Sequence, residues 1–155
     1  MKKAVPNSID QPGSFESPEQ EVFLRLLKTA DVLEGELSQL LKESELSATQ
    51  YNVLRILRGA GDTGMPCGRI TERMITREPD MTRLLDRLEA RGLISRQRSP
   101  DDRRVVLGRL TGKGKALLKS LDQPVLQLHA GQLSHLGKGR LRELAGLLAA
   151  ARART

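Results

Sequence analysis

Residues 76–110 read TREPDMTRLLDRLEARGLISRQRSPDDRRVVLGRL, and the fold is decided inside this stretch. At 100° per residue Met81, Leu84, Leu85 and Leu88 fall on one face, and the pattern stops at Gly92. The spacing predicts a helix over 77–90. Immediately after it comes the one convincing strand signal of the chain. Residues 93–98 and 104–110 flank the polar turn Ser99-Pro100-Asp101-Asp102, which predicts a β-hairpin.

Upstream, Ile70 and Met74 lie four apart and predict a short helix over 67–74. Before it, Ser47-Ala48-Thr49-Gln50 is a capping box, with Leu46 and Tyr51 placed as its hydrophobic staple. The helix it opens carries Val53, Leu54, Ile56 and Leu57 and breaks between Gly59 and Gly64. A longer helix begins at Ser17-Pro18-Glu19-Gln20, with apolar residues from Phe23 to Leu41 at helical spacing. Residues 1–16, with two prolines and a glycine, are expected to form a flexible arm. Downstream, Thr111 caps a fifth predicted helix in which Pro124 should cause a kink or break. A last helix over 138–153 sets Leu141, Leu144, Leu147 and Leu148 on one face. The fold class is mainly α with a small β-hairpin wing. A winged helix-turn-helix lobe (46–111) lies between dimerisation helices at the N-terminal (17–45) and C-terminal (112–155) sides. Those flanking helices carry more apolar surface than so small a lobe can cover, and a second copy of the chain would bury it.

The charge falls unevenly. Residues 1–65 carry 7 basic and 10 acidic side chains, whereas residues 66–115 carry 13 basic and 7 acidic. Between Arg69 and Arg109 every basic residue is arginine, whose planar fork suits phosphates and guanine edges. The net charge of +7 points to an acidic partner, double-stranded DNA first. An aromatic share of 2% argues against single-stranded nucleic acid, where bases stack on rings. One cysteine, Cys67, excludes an internal disulfide and fits a reducing cytoplasm. No apolar run is long enough for a membrane span, and no membrane partner is expected.

On the predicted reading helix, Thr76, Pro79, Arg83 and Asp86 oppose the apolar face, with Thr82 and Arg87 on its flanks. Such a helix suits the major groove. Arg83 is placed for guanine readout, and Arg77 and Thr82 for phosphates or base edges. An ordinary solvated helix face is the bland alternative, and the hairpin weighs against it. The turn puts Arg103 and Arg104 at a protruding tip, with Arg96, Arg98 and Arg109 along the sides and Ser99 at the bend. Arginine at such a tip suits the minor groove. Asp102 is expected to orient a neighbouring arginine by an ion pair.

The strings MTRLLDRLEARGLISRQR, DDRRVVLGRLT and the following GKG resemble the core of the MarR family of bacterial regulators, and LSATQYNVLRIL resembles its second helix. The resemblance covers about residues 20–150. It implies a homodimer whose first and last two helices interlock, each wing reaching half of a palindromic operator. It further implies repression relieved by a small, often aromatic, anionic ligand bound between the dimer helices and the DNA-reading lobe. Carried over by position, Thr82 and Arg83 fall on the recognition helix, and Asp102 and Arg104 on the wing's Asp-x-Arg pattern. Thr76-Arg77-Glu78-Pro79 departs from the family's usual serine cap, and Gly137 and Gly139 depart from its usual start of the last helix.

Two alternatives stay open at this stage: an architectural nucleic-acid protein without sequence readout, and a protein-interaction module with a basic face. Cys67 reads as a buried inert thiol, and His129 and His135 as surface or interface residues rather than metal ligands. Gly112-Lys113-Gly114-Lys115 lacks phosphate-loop spacing and reads as a flexible, basic helix entry that touches DNA backbone. Asp101 and Asp102 share an exposed turn without a nucleophile, so no enzyme, catalytic residue or cofactor is expected.

Overall fold

The computed structural model describes residues 15–153; most of the expected N-terminal arm lies outside them. Two compact units divide between Glu36 and Leu37. The first holds most of helix α1 (Pro18–Leu41), on which Val22, Phe23, Leu27 and Val32 are exposed.

The second unit is built around a leucine-rich core. Helix α2 (Ala48–Ala60) starts as read from the sequence. Ser47 Oγ accepts from the Gln50 amide at 3.1 Å while Gln50 Oε1 accepts from the Ser47 amide at 3.0 Å. The staple residues Leu46 and Tyr51 are both buried in the core cluster. Helix α3 (Cys67–Arg73) contributes Ile70, and helix α4 (Met81–Ala90) contributes Leu84, Leu85 and Leu88. Gly92, with φ +70, takes the left-handed turn that ends α4, and the Leu93 amide donates back to the Leu88 carbonyl.

The hairpin belongs to a three-stranded antiparallel sheet. Strands β1 (Met65–Pro66), β2 (Ile94–Arg98) and β3 (Val106–Leu110) stand in the order β1-β3-β2, with Met65 opposite Gly108 and Arg96 opposite Gly108 on the other side. The sequence reading missed β1 because two residues carry no period; tertiary pairing alone makes them a strand.

Helix α5 (Gly112–Leu133) is capped by Thr111 Oγ1, which accepts from the Gly114 amide. It continues through Pro124 as one helix, so of the kink or break expected there the break does not occur. Leu118, Leu121 and Val125 are buried on either side of the proline and hold the helix to the core. Helix α6 (Gly137–Arg152) has no buried residue, and Leu144 and Leu147 are exposed on it.

Candidate nucleic-acid interface

The reading helix begins later than its sequence pattern suggests. Asp80 is the N-cap, and its Oδ1 accepts from the Arg83 amide at 3.0 Å. Thr76, Arg77 and Pro79 therefore stand in the α3–α4 turn and not on the helix. Pro79 disfavours helical backbone at Glu78, and Asp80 is a strong cap one residue further on. The Glu78 carboxylate accepts from the Asp80 amide at 3.1 Å and fixes the approach. Asp80 also puts a negative charge at the helix N-terminus, where it complements the helix dipole.

Thr82, Arg83, Asp86 and Arg87 are exposed on α4. The Arg83 guanidinium is 71% exposed and approaches Asp80 only to 3.7 Å. Asp86 would oppose DNA on this face, and Arg96 answers it from β2. Arg96 Nη2 donates to Asp86 Oδ1 and, at 2.7 Å, to Glu89 Oε2; its backbone amide donates to Glu89 Oε1 at 3.0 Å. These hydrogen bonds hold the Glu89 carboxyl below its ordinary pKa and, from Glu89 first, push Arg96 up. Arg96, expected along the DNA-facing side of the wing, is 21% exposed and ties the wing to α4.

Other wing residues also serve the wing. Arg98 Nη1 donates to the Arg103 carbonyl at 2.6 Å. Ser99 is buried, its amide donating to the Val105 carbonyl and its Oγ accepting from the Asp101 amide, so it shapes the bend from inside. Asp102 holds Arg104 as expected. Its Oδ1 accepts from the Arg104 amide at 3.0 Å and from Nε at 3.1 Å, and its Oδ2 from Nη2 at 3.1 Å. Arg104 keeps the Asp102 carboxyl below its usual range, and its own side chain is 90% exposed. Arg103 is exposed beside it. Arg109 is engaged by the Thr63 carbonyl and the Gln97 side chain.

The basic entry of α5 is likewise tied internally. Lys113 donates to the Arg91 carbonyl at 2.7 Å and Lys115 pairs with Asp62 at 2.5 Å. Gly114 is there for space, because a Cβ on it would lie 2.2 Å from the Leu93 carbonyl oxygen. Sequence reasoning also missed Arg91, which donates to the Ser44 and Glu45 carbonyls and seats the end of α4 against the turn after α1. Those partners lie 46 and 47 residues away, beyond any local pattern.

Beneath α4 a cavity of about 310 Å3 is lined by Cys67, Thr71, Met81, Thr82, Arg96 and Val106, among others. Cys67 is half-buried and lines this cavity rather than being buried as expected, and desolvation pushes its thiol up, toward the protonated form. Among the described residues there is no acidic, histidine or cysteine cluster that could hold a metal, and no helix long and apolar enough to cross a membrane.

Residues 46–106 match the model of the MarR family. The chain is 30% identical to the uncharacterised HTH-type transcriptional regulator YhbI of Bacillus subtilis, the alignment covering 70% of this chain and 71% of the relative. A MarR transcription factor from Planctomyces limnophilus is 44% identical, with a TM-score of 0.67, over 87% of this chain and 98% of that one. A MarR variant from E. coli solved with operator DNA is 25% identical, with a TM-score of 0.77, over 84% and 93%. The mainly helical fold, the three-stranded wing and these likenesses agree: the chain belongs to the MarR family of transcription regulators.

Proposed function

We propose that this regulator is a ligand-responsive repressor that binds a palindromic operator as a homodimer in the cytoplasm. The observation that carries the reading is how charge is sorted on the lobe. Thr82, Arg83 and Arg87 stand out from α4 while Asp86, the acid among them, is neutralised by Arg96. On the wing, Asp102 holds Arg104 in an extended, exposed fork. In this reading α4 enters the major groove, with Arg83 on a base edge, Thr82 and Arg87 on bases or phosphates, and Thr76, Arg77 and Pro79 alongside the backbone. Arg103 and Arg104 reach the adjacent minor groove. Arg96, Arg98, Ser99 and Asp102 act indirectly, by setting the shape and angle of the wing.

The homodimer is supported by two apolar surfaces, considered separately: Val22, Phe23 and Leu27 on α1, and Leu144 and Leu147 on α6. Isolated domains seldom leave so many large side chains on single helices uncovered. Ligand response is supported by the cavity under α4. That cavity lies within the lobe and is lined by no residue of α1, α5 or α6, and so differs from the site between dimer helices and lobe that the family resemblance implies. A small aromatic anion there would compete with Asp86 and Glu89 for Arg96, and so loosen the tie between helix and wing.

Selection of double-stranded DNA by the purified protein at about 150 mM salt tests the reading. The expected product is a palindrome with half-sites about one helical turn apart, bound by a dimer. Salt-sensitive binding with no enriched sequence would replace the reading with an architectural one.

A further inference from the structure

Among the described residues, the exposed large apolar side chains other than Ile75 lie on α1, α5 and α6, the helices assigned to the homodimer in the reading above. Ile75 alone lies in the DNA-reading lobe, and at 85% it is the most exposed of them. A single exposed isoleucine on a loose loop would mean little. This one is held. The Ile75 amide donates to Asn52 Oδ1 on α2 at 2.9 Å. On its other side Met74, with extended backbone, packs against the core. The chain bends at Ile75 and Thr76, and with Met74 anchored on the core and the Ile75 amide on α2 the Ile75 side chain is left outside. Further along the same turn Thr76, Arg77 and Pro79 are exposed, and the turn leads directly into α4. Arg73 and Arg77, both exposed, bracket Ile75 two residues away on each side.

A rigid apolar group between basic residues at the foot of a reading helix suits a surface that is anionic overall with one apolar feature. The major groove offers that combination at one place only, the C5-methyl group of thymine. We propose that Ile75 is a specificity-determining residue that packs on a thymine methyl in each operator half-site. The inference rests on the DNA-reading function proposed above. It adds a contact that no charge pattern would reveal, since the group carries no charge and makes no hydrogen bond.

The test uses the full-length protein and the operator recovered by selection. Each thymine is replaced in turn by deoxyuridine, which keeps the base pair and removes only the methyl. Binding is measured for the wild type and for Ile75→Ala. One replacement per half-site should weaken wild-type binding by about fourfold, the scale of one buried methyl group. Ile75→Ala should weaken binding to the thymine operator at least as much, and should be indifferent to deoxyuridine at that same position. Its melting temperature should match the wild type, because the side chain is exposed. The inference is overturned if Ile75→Ala binds the operator as tightly as the wild type, or if it keeps the full sensitivity to every deoxyuridine replacement. Failure of the parent reading looks different: the wild type would then enrich no sequence at all, and both ideas would fall together.

Discussion

On α4, Arg83 is tied only by a 3.7 Å approach to Asp80, and Arg87 is exposed with no ion pair among the described residues. On the wing, Arg96, Arg98, Arg104 and Arg109 each hold a carboxylate, a side-chain amide or a backbone carbonyl. The two regions are similarly rich in arginine, yet one uses it to reach outward and the other largely to build itself. A count of basic residues therefore overstates the charge a wing offers to DNA. It understates how much of that charge fixes the wing's position relative to the helix. Arg104 is the intermediate case, since its pairing with Asp102 leaves the guanidinium 90% exposed.

The largest effect should come from the base of the wing. A Cβ on Gly114 would meet the Leu93 oxygen at 2.2 Å and Leu110 Cδ1 at 2.8 Å, at the two points where the hairpin leaves the core. Gly114→Ala should therefore cost about 3 kcal/mol of stability, since the Leu93 backbone and the buried Leu110 side chain must both give way. Thermal unfolding measures it. An unchanged melting temperature would mean that α5 can move off the wing at little cost, and that the wing is less firmly seated than its contacts imply.

Next is the outward-facing set. Arg83→Ala should lose about 2 kcal/mol of operator affinity and relax the preference at one base pair, with stability unchanged. In the same titrations Arg104→Ala should weaken all sequences alike and reduce the salt slope by about 1. If Arg104→Ala changes base preference and Arg83→Ala does not, the roles of helix and wing are exchanged.

What could be read in the sequence divides along the same line as the arginines. Local devices were legible. The Ser47–Gln50 box, the Thr111 cap, the stop at Gly92 and the Asp102–Arg104 pair all act within a few residues. The start of α4 was read too early, because the exposed Thr76 and Arg77 extend the polar face by periodicity even though Pro79 and Asp80 reset the backbone. Distant partnerships were not legible. Arg96 reads in the sequence as one more arginine along the wing, and nothing local shows that Glu89 and Asp86, 7 and 10 residues away, are its partners. Lys113 and Lys115 looked free until Arg91 and Asp62, 22 and 53 residues away, took them up. Charge on a helix or strand face can be read from periodicity, but whether that charge is already satisfied depends on packing.

A smaller effect separates a tie from a contact at Arg96. Removing its side chain leaves Asp86 and Glu89 without their cation, and Arg96→Ala should cost about 1 kcal/mol of stability, kept modest because both carboxylates are partly solvated. Operator affinity should fall as well, because an acid is uncovered on the reading face. Adding Asp86→Asn and Glu89→Gln to Arg96→Ala should restore much of that affinity. If the triple variant binds no better than Arg96→Ala alone, Arg96 touches DNA directly and the wing, like α4, uses its arginine to reach outward.

The smallest effect is a pH dependence of the same tie. Arg96 holds the Glu89 carboxyl below its ordinary pKa in the folded state. The stability it contributes is therefore complete above the unfolded carboxylate value and is lost as pH falls through the lower folded value. Between about pH 5 and 8 the difference in stability between wild type and Arg96→Ala should be flat. Below that range it should shrink, because protonation of Glu89 removes in the wild type the same pairing that the substitution removes in the variant. Thermal melts of both proteins across acid pH provide the readout. A difference that persists undiminished in acid would mean that Arg96 stabilises the wing through the packing of its aliphatic stem, and that its charge is held there for another reason.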